Sequence, residues 1–163
     1  MSVSSAGAAI RFDYRPRMRL ITSTRMLVAD LCDELLGDAD ATSRVAMAAH
    51  ELMENVAKYS SGGEGSVEVA LSQRNGQNYV QVSTKNRASA HQREQLQHLI
   101  GELRRAADPI AYYDAVIAKS VLSKGSGLGL ARIRAEGNME VDLSIEGDQV
   151  TISAQGSVAR RSR

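Results

Sequence analysis

Apolar and polar residues alternate in five short stretches of the chain, which predicts five β-strands. These stretches cover residues 10–14, 67–71, 80–84, 139–145 and 150–152. Asn75-Gly76 separates the second stretch from the third, and Gly147-Asp148 separates the fourth from the fifth. Both dipeptides are typical of tight turns, so the last four strands are predicted to form two hairpins.

The segments between these strands predict helices over about 22–36, 40–59, 89–106, 110–122 and 130–136, and the helix at 89–106 is polar. The first of them has Ser23 or Thr24 as a candidate N-cap and Gly37 as a stop. The second has the clearest apolar face, formed by Val45, Ala48, Ala49, Leu52, Val56 and Tyr59.

The resulting order, β-α-α-β-β-α-α-α-β-β, predicts an α+β fold. Because hairpins dominate, we expect a two-layer sandwich in which helices cover one face of a mainly antiparallel mixed sheet. The βαβ crossovers of a doubly wound fold are missing. We expect one domain over residues 10–155, a flexible N-terminus at 1–9 and a disordered basic tail at 156–163.

Composition narrows the classes of function. The chain has 163 residues, 43% of them apolar, and a net charge of +1, which gives no reason to expect nucleic acid or an anionic membrane as a partner. Cys32 is the only cysteine, and its helical apolar surroundings predict a buried thiol. The sequence shows no apolar run of membrane-spanning length and no signal-peptide pattern, so we expect a cytoplasmic protein.

Glu51, Asn55 and Lys58 are the first candidates for a functional site. At 100° per residue they fall in a stripe on the order of 60° wide at one edge of the apolar helix face. An amide oxygen and a carboxylate one turn apart suit Mg²⁺, which takes oxygen ligands, and proton transfer by the carboxylate. The simpler interpretation is a solvated helix face on which Glu54 and Lys58 form an i,i+4 ion pair.

A glycine-rich loop is the second candidate. It reads Gly125-Ser126-Gly127-Leu128-Gly129-Leu130, follows Lys124 and runs directly into a helix. Such a loop lets backbone N–H groups approach phosphate oxygens at the positive end of the helix. It lacks the Gly-Lys-Ser/Thr of a Walker A loop and the Gly-x-Gly-x-x-Gly of a dinucleotide fold.

Two runs of residues together resemble the GHKL (Bergerat-fold) ATPase and kinase superfamily. The run from His50 to Ser60 is similar to its N-box, and the run from Gly125 to Leu130 is similar to its second glycine box. The order of the surrounding elements also matches, over roughly residues 10–155.

This resemblance implies an ATP site with Mg²⁺ on the helical side of the sheet. It implies that Asn55 coordinates Mg²⁺, that Glu51 acts as general base and that Lys58 contacts phosphate. The loop from Gly125 to Leu130 would close over the triphosphate, and Lys124 before it would add positive charge. The loop residues that would contact the nucleotide are Gly125, Ser126, Gly127, Leu128 and Gly129. Residues 110–124 would form a lid that orders on binding.

One part of the family pattern is absent. The Asp-x-Gly-x-Gly that normally follows the middle strand is replaced by Lys85-Asn86-Arg87-Ala88-Ser89, where Asn86 is the nearest polar residue and the candidate contact for adenine. This replacement, followed by a long helical insert with Tyr112-Tyr113, resembles SiaB-type kinases, relatives of the anti-sigma-factor serine kinases used in bacterial partner switching.

Two functions follow from the resemblance. The first is an ATP-dependent kinase that phosphorylates Ser or Thr on a small regulatory protein. The second is a binding module that sequesters a regulator without phosphoryl transfer. A sensor histidine kinase core is disfavoured because no helix with a phosphoacceptor His precedes the domain, and His91 and His98 are interpreted as surface residues. The sequence leaves the oligomeric state open; dimers are common among relatives, and by that analogy the first strand and helix would be the pairing surface of a homodimer.

Overall fold

The computed structural model describes residues 5–15, 17–122 and 127–159. Its strands and helices follow one another in the predicted order, and their bounds are as follows. They are β1 (Ser5–Tyr14), α1 (Met18–Leu36), α2 (Ala39–Tyr59), β2 (Gly65–Arg74), β3 (Gln77–Arg87), α3 (Ala90–Arg105), α4 (Pro109–Leu122), α5 (Leu128–Ala135), β4 (Glu140–Glu146) and β5 (Gln149–Val158).

The five strands form one sheet in the order β1-β2-β3-β5-β4. All four pairings between these strands are antiparallel, so the α+β sandwich is confirmed and its sheet has no parallel component among the described strands. Arg74 pairs with Gln77 around the turn at Asn75 and Gly76, which have φ values of 52° and 77°. Both predicted hairpins are therefore present, and the first has the positive φ values that Asn-Gly favours.

The core lies between one face of the sheet and the helices. Alternate residues of β2, β3, β4 and β5 point into it. The buried ones include Val67, Val69, Val80, Val82, Val141, Val150, Ile152 and Ala154. α2 packs against this face, and α1 packs on α2. On the opposite face the same strands carry polar residues such as Ser66, Glu68, Gln81, Ser83, Thr151 and Ser153. This alternation is what an antiparallel sheet with one solvated face requires.

The start of α1 differs from the prediction. The helix begins at Met18, its N-cap is Arg17, and no side chain caps it. The Ser23 hydroxyl donates to the Arg19 carbonyl at 3.0 Å, which is the bond that Ser makes inside a helix and not at a cap. The predicted stop at Gly37 is confirmed, since this residue has a φ of 61° and donates its N–H to the Asp33 carbonyl.

The first and last strands of the chain, β1 and β5, are longer than the apolar pattern indicated. β1 begins at Ser5, within the segment 1–9 that was expected to be flexible, because its backbone pairs with β2 as far as Gln73. β5 ends at Val158, within the predicted tail 156–163, and Val158 is buried opposite Asn78. Small residues in both segments hide the alternation. Residues 160–163 lie outside the described part.

α4 is apolar in sequence, yet none of its described side chains is buried. It packs mainly on α5, and Ile110, Ile117 and Val121 are 63%, 38% and 80% exposed. Among the described helices, none has both the length and the apolar character needed to cross a membrane.

Gly65 offers a test of the packing between α2 and the sheet. A Cβ added there would lie 2.6 Å from Val56 Cγ1 and 3.2 Å from the Lys85 carbonyl oxygen, and neither atom belongs to a flexible side-chain end. We expect Gly65→Ala to lower the free energy of unfolding by about 1–3 kcal/mol in urea titrations. Gly62→Ala is the matched control, because an added Cβ there meets no heavy atom within 4 Å. Equal stability of the two variants would contradict this packing.

Cys32 tests the core beneath α1. The predicted burial is confirmed, since its side chain is fully buried, and burial raises the pKa of the thiol to about 11. Because the thiolate is the reactive form, iodoacetamide should label the native chain at pH 8 at least ~10-fold more slowly than the chain unfolded in guanidinium. Similar labelling rates in the two conditions would show that the α1–α2 contact opens readily.

Candidate functional site

A cleft of about 290 Å³ lies between α2, α4 and α5. Its lining is mostly polar and brings together residues that are up to 81 positions apart in the chain. The lining residues are Glu51, Glu54, Asn55, Lys58, Tyr113, Gly127, Leu128, Gly129 and Arg132. The predicted stripe on α2 and the second half of the predicted glycine loop therefore face each other across one cavity.

α2 holds its three predicted residues at the wall of the cleft because its neighbouring face is anchored in the core. Leu52, Met53 and Val56 are buried next to them. Asp38 fixes the start of the helix, since its carboxylate accepts hydrogen bonds from the N–H groups of Asp40 and Ala41 at 3.0 and 3.1 Å. The stripe at the edge of the apolar face is thus a seam between buried helix and cleft.

Asn55 is 8% exposed, and its amide nitrogen donates to the Glu51 carbonyl at 3.1 Å. Its amide oxygen accepts no hydrogen bond from a described residue. An oxygen left in this state beside a polar cleft fits a Mg²⁺ ligand, and Mg²⁺ commonly takes one or two protein oxygens together with waters and phosphate oxygens. Within the described residues no cluster of three or more His, Cys, Asp or Glu side chains is placed to hold a metal. Any metal in this cleft would therefore depend on Asn55 and on oxygens of the ligand.

α5 begins at the cleft. Gly127 is its N-cap and has a φ of 99°, a conformation that favours glycine. The N–H groups of the first turn, at Leu128 and Gly129, have no acceptor within the helix. The start of a helix is a favourable place for a phosphate, because these donors and the helix dipole act together. Lys124, Gly125 and Ser126, the first half of the predicted loop, lie outside the described residues.

Gly129 is where α5 and α2 approach most closely. A Cβ at this position would lie 2.3 Å from Oε2 of Glu51 and 3.3 Å from its Cβ. Any larger residue would push the Glu51 carboxylate away or move α5 outward. The glycine that the sequence pattern assigned to phosphate binding therefore also sets the position of the acidic side chain.

Arg132 is a cleft residue that the sequence analysis did not select. Its Nη1 lies 3.1 Å from Oε1 of Glu51, and its Nε lies 2.7 Å from Oε2 of Glu136. These hydrogen bonds, the one to Glu136 foremost, raise the pKa of the guanidinium. The i,i+4 spacing of Arg132 and Glu136 was visible in the sequence, but the pairing with Glu51 needed the fold.

Tyr113 and Glu54 complete the lining. Partial burial, followed by the negative charge of Glu136, raises the pKa of Tyr113. Glu54 does not form the i,i+4 pair with Lys58 that a plain solvated helix face would show, because its Oε1 lies 3.2 Å from Nε2 of His50. Lys58 is exposed at the cleft and forms no ion pair with a described residue.

Asn86 is not among the residues that line the cleft. It is buried, and its amide nitrogen donates to the carbonyls of Tyr59 at 3.0 Å and of Arg87 at 3.1 Å. The side chain thereby ties the end of β3 to the C-terminal end of α2. Its contact with adenine stays a prediction.

The contact between Gly129 and Glu51 can be tested by a double-mutant cycle. We expect Gly129→Ala to lower the free energy of unfolding by about 1–3 kcal/mol, because the added methyl group meets the carboxylate. In a Glu51→Ala background the cost should shrink, since the two nearest obstructing atoms, Oε2 and Cδ of Glu51, are gone. Urea unfolding of the four proteins measures this difference.

Gly101→Ala in α3 is the control for this cycle. An added Cβ there meets only Arg105, at 3.8 Å, which is an ordinary contact. Alanine in a helix interior should therefore raise stability by about 0.5–1 kcal/mol. If Gly129→Ala costs the same with and without the Glu51 side chain, then the close approach does not govern the packing of α5.

Comparison with known proteins identifies the fold. No protein-family profile matches the chain, and no curated protein sequence does. A solved structure does match, namely a chain of the SiaB–SiaC complex from Pseudomonas aeruginosa, with a TM-score of 0.65 and 16% sequence identity. The alignment covers 91% of this chain and 89% of the other. At this identity the likeness shows a shared fold, over almost the whole length of both chains.

Proposed function

We propose that this protein is an ATP-dependent protein kinase that transfers a phosphoryl group to a Ser or Thr hydroxyl of a small regulatory protein. The observation that carries the proposal is the convergence of Glu51, Asn55 and Lys58 with Gly127–Gly129 in one cleft. A carboxylate, an amide oxygen, a lysine cation and the N-terminus of a helix are groups that support phosphoryl transfer.

Each group has a distinct task in this mechanism. ATP supplies the phosphoryl group when bound, with Mg²⁺ to neutralise its charge. Asn55 would hold the metal through its amide oxygen, and Lys58 and the N–H groups at the start of α5 would bind phosphate oxygens. The Glu51 carboxylate accepts the proton of the substrate hydroxyl as its oxygen bonds to phosphorus and the bond to the ADP oxygen breaks.

The partner class is inferred from two independent observations. The replacement of the first glycine box by Lys85-Asn86-Arg87-Ala88-Ser89, followed by the insert with Tyr112-Tyr113, resembles SiaB-type kinases and favours a small protein as substrate. The solved structure with the same fold is of a complex between two proteins, which is consistent with a chain that acts on a partner. We place this activity in the cytoplasm, where ATP is available.

A second candidate function is a binding module that sequesters a regulator without phosphoryl transfer. One observation favours it directly: the Glu51 carboxylate is already paired with Arg132, at 3.1 Å, so that one of its oxygens does not face a substrate hydroxyl. The missing Asp-x-Gly-x-Gly points the same way.

Transfer of radiolabel from γ-³²P-ATP to a small regulatory protein, sought first among any encoded beside this chain, distinguishes the two functions. We expect Mg²⁺-dependent labelling of a Ser or Thr residue in that protein. Glu51→Gln should reduce the rate by about 10²–10⁴-fold, the usual contribution of a general base. Asn55→Ala should abolish this Mg²⁺-dependent labelling.

Asn78→Ala, in the hairpin far from the cleft, is the control for both variants. Labelling that survives Glu51→Gln and Asn55→Ala would refute the assignment of the site. A tight complex with the regulator and no labelling of it by wild-type protein would establish the binding module.

A further inference from the structure

The ion pair between Glu51 and Arg132 crosses the cleft at the place where the proposed chemistry occurs. Glu51 belongs to α2 and Arg132 to α5, and both residues line the cavity. Glu51 is only 12% exposed, whereas the Arg132 side chain is 42% exposed. The Glu51 carboxylate is therefore held in the wall of the cleft, and the Arg132 guanidinium is the partner that can move.

Arg132 has donors to spare. Its Nη1 is engaged by Glu51 and its Nε by Glu136, while its Nη2 donates to no described residue. A guanidinium carries five N–H donors in a planar fork and binds phosphate oxygens in a bidentate manner. The group therefore faces the cleft with unused capacity for an anion.

Glu136 supplies a second anchor for the guanidinium. It is the C-cap residue of α5, four residues after Arg132, so its hydrogen bond of 2.7 Å does not depend on α2. The guanidinium can leave Glu51 while it keeps this bond. The exchange is then a rotation of the guanidinium about its hydrogen bond to Glu136, and the side chain as a whole is not released.

The charges around the pair favour such an exchange when a polyanion enters. Before that, Arg132 balances the negative charge of Glu51, and Glu54 lies beside His50. A nucleoside triphosphate brings more negative charge than one carboxylate and would bind at the start of α5, in the cleft that Arg132 also lines. The phosphate and Glu51 would thus compete for the same guanidinium.

We propose that Arg132 responds to nucleotide: it pairs with Glu51 in the empty cleft and moves to a phosphate oxygen when ATP binds, which releases the Glu51 carboxylate. This inference rests on the proposed nucleotide site and goes beyond it. Arg132 becomes a phosphate-binding residue, and Glu51 becomes a proton acceptor only after nucleotide has arrived. In the absence of nucleotide, the Glu51 carboxylate therefore stays paired with Arg132.

Competition predicts a specific pattern of ATP affinities, which isothermal titration calorimetry with ATP and Mg²⁺ measures without any protein substrate. We expect Arg132→Gln to weaken binding by roughly tenfold or more, the scale of a charge-assisted phosphate contact. Glu51→Gln should strengthen binding several-fold, because Arg132 loses its competing partner. In the Arg132→Gln background this gain should fall away.

Glu54→Gln is the matched control. It removes the same charge from the same cleft, but Glu54 has no contact with Arg132. It therefore measures the general repulsion between an acidic cleft and ATP, which should be equal with and without Arg132. The proposal requires that the gain from Glu51→Gln exceed this control in the wild-type background and match it in the Arg132→Gln background.

Arg132→Lys guards against a folding defect in Arg132→Gln. It keeps the charge and loses the planar fork, so ATP affinity should lie between those of wild type and Arg132→Gln. If ATP binds but Glu51→Gln gives the same gain in both backgrounds, the exchange is refuted and the nucleotide site stands. If wild-type protein binds no ATP, the proposed function and this inference are both overturned.

Discussion

The position of α2 is the constraint on which the rest of the molecule depends. This helix has the sheet on one side, α1 on another and α5 on a third, and its central residues Leu52 and Met53 are completely buried. A helix held on so many sides has no freedom to rotate, because each turn of it fills a different part of the core. The polar stripe at the edge of its buried face is fixed for the same reason. The accuracy of the cleft is thus a consequence of hydrophobic packing.

The opposite wall of the cleft is built differently. α5 is short and is held close to α2 by the absence of a side chain at Gly129, whereas α4 rests on α5 without burying a described side chain. Local stability should therefore fall from α2 through α5 to α4. A ligand that binds in this cleft meets one rigid wall and one that can adjust. This division is suited to the proposed function, in which the outer part of the cleft would admit both a nucleotide and a protein.

Sequence reasoning succeeded where structure is encoded locally. The hairpins follow from Asn75-Gly76 and Gly147-Asp148, and the face of α2 follows from the spacing of its apolar residues, since both are properties of neighbours in the chain. It also brought Glu51, Asn55 and Gly129 into one site through a resemblance. It did not find the pairing of Arg132 with Glu51, which joins two helices, nor the bonds that Asn86 makes to the end of α2. Contacts of that kind exist only after the chain has folded.

The strand order has a consequence for how the chain reaches this structure. β5 follows all other strands in sequence, yet it lies inside the sheet, where it pairs with β3 on one side and β4 on the other. Arg87 and Gln149, which pair directly, are separated by α3, α4, α5 and β4. During synthesis the edge of β3 that pairs with β5 thus stays without a partner strand until β5 has left the ribosome. The growing chain must tolerate an open strand edge for much of its synthesis, a period in which chaperones would find it an exposed target.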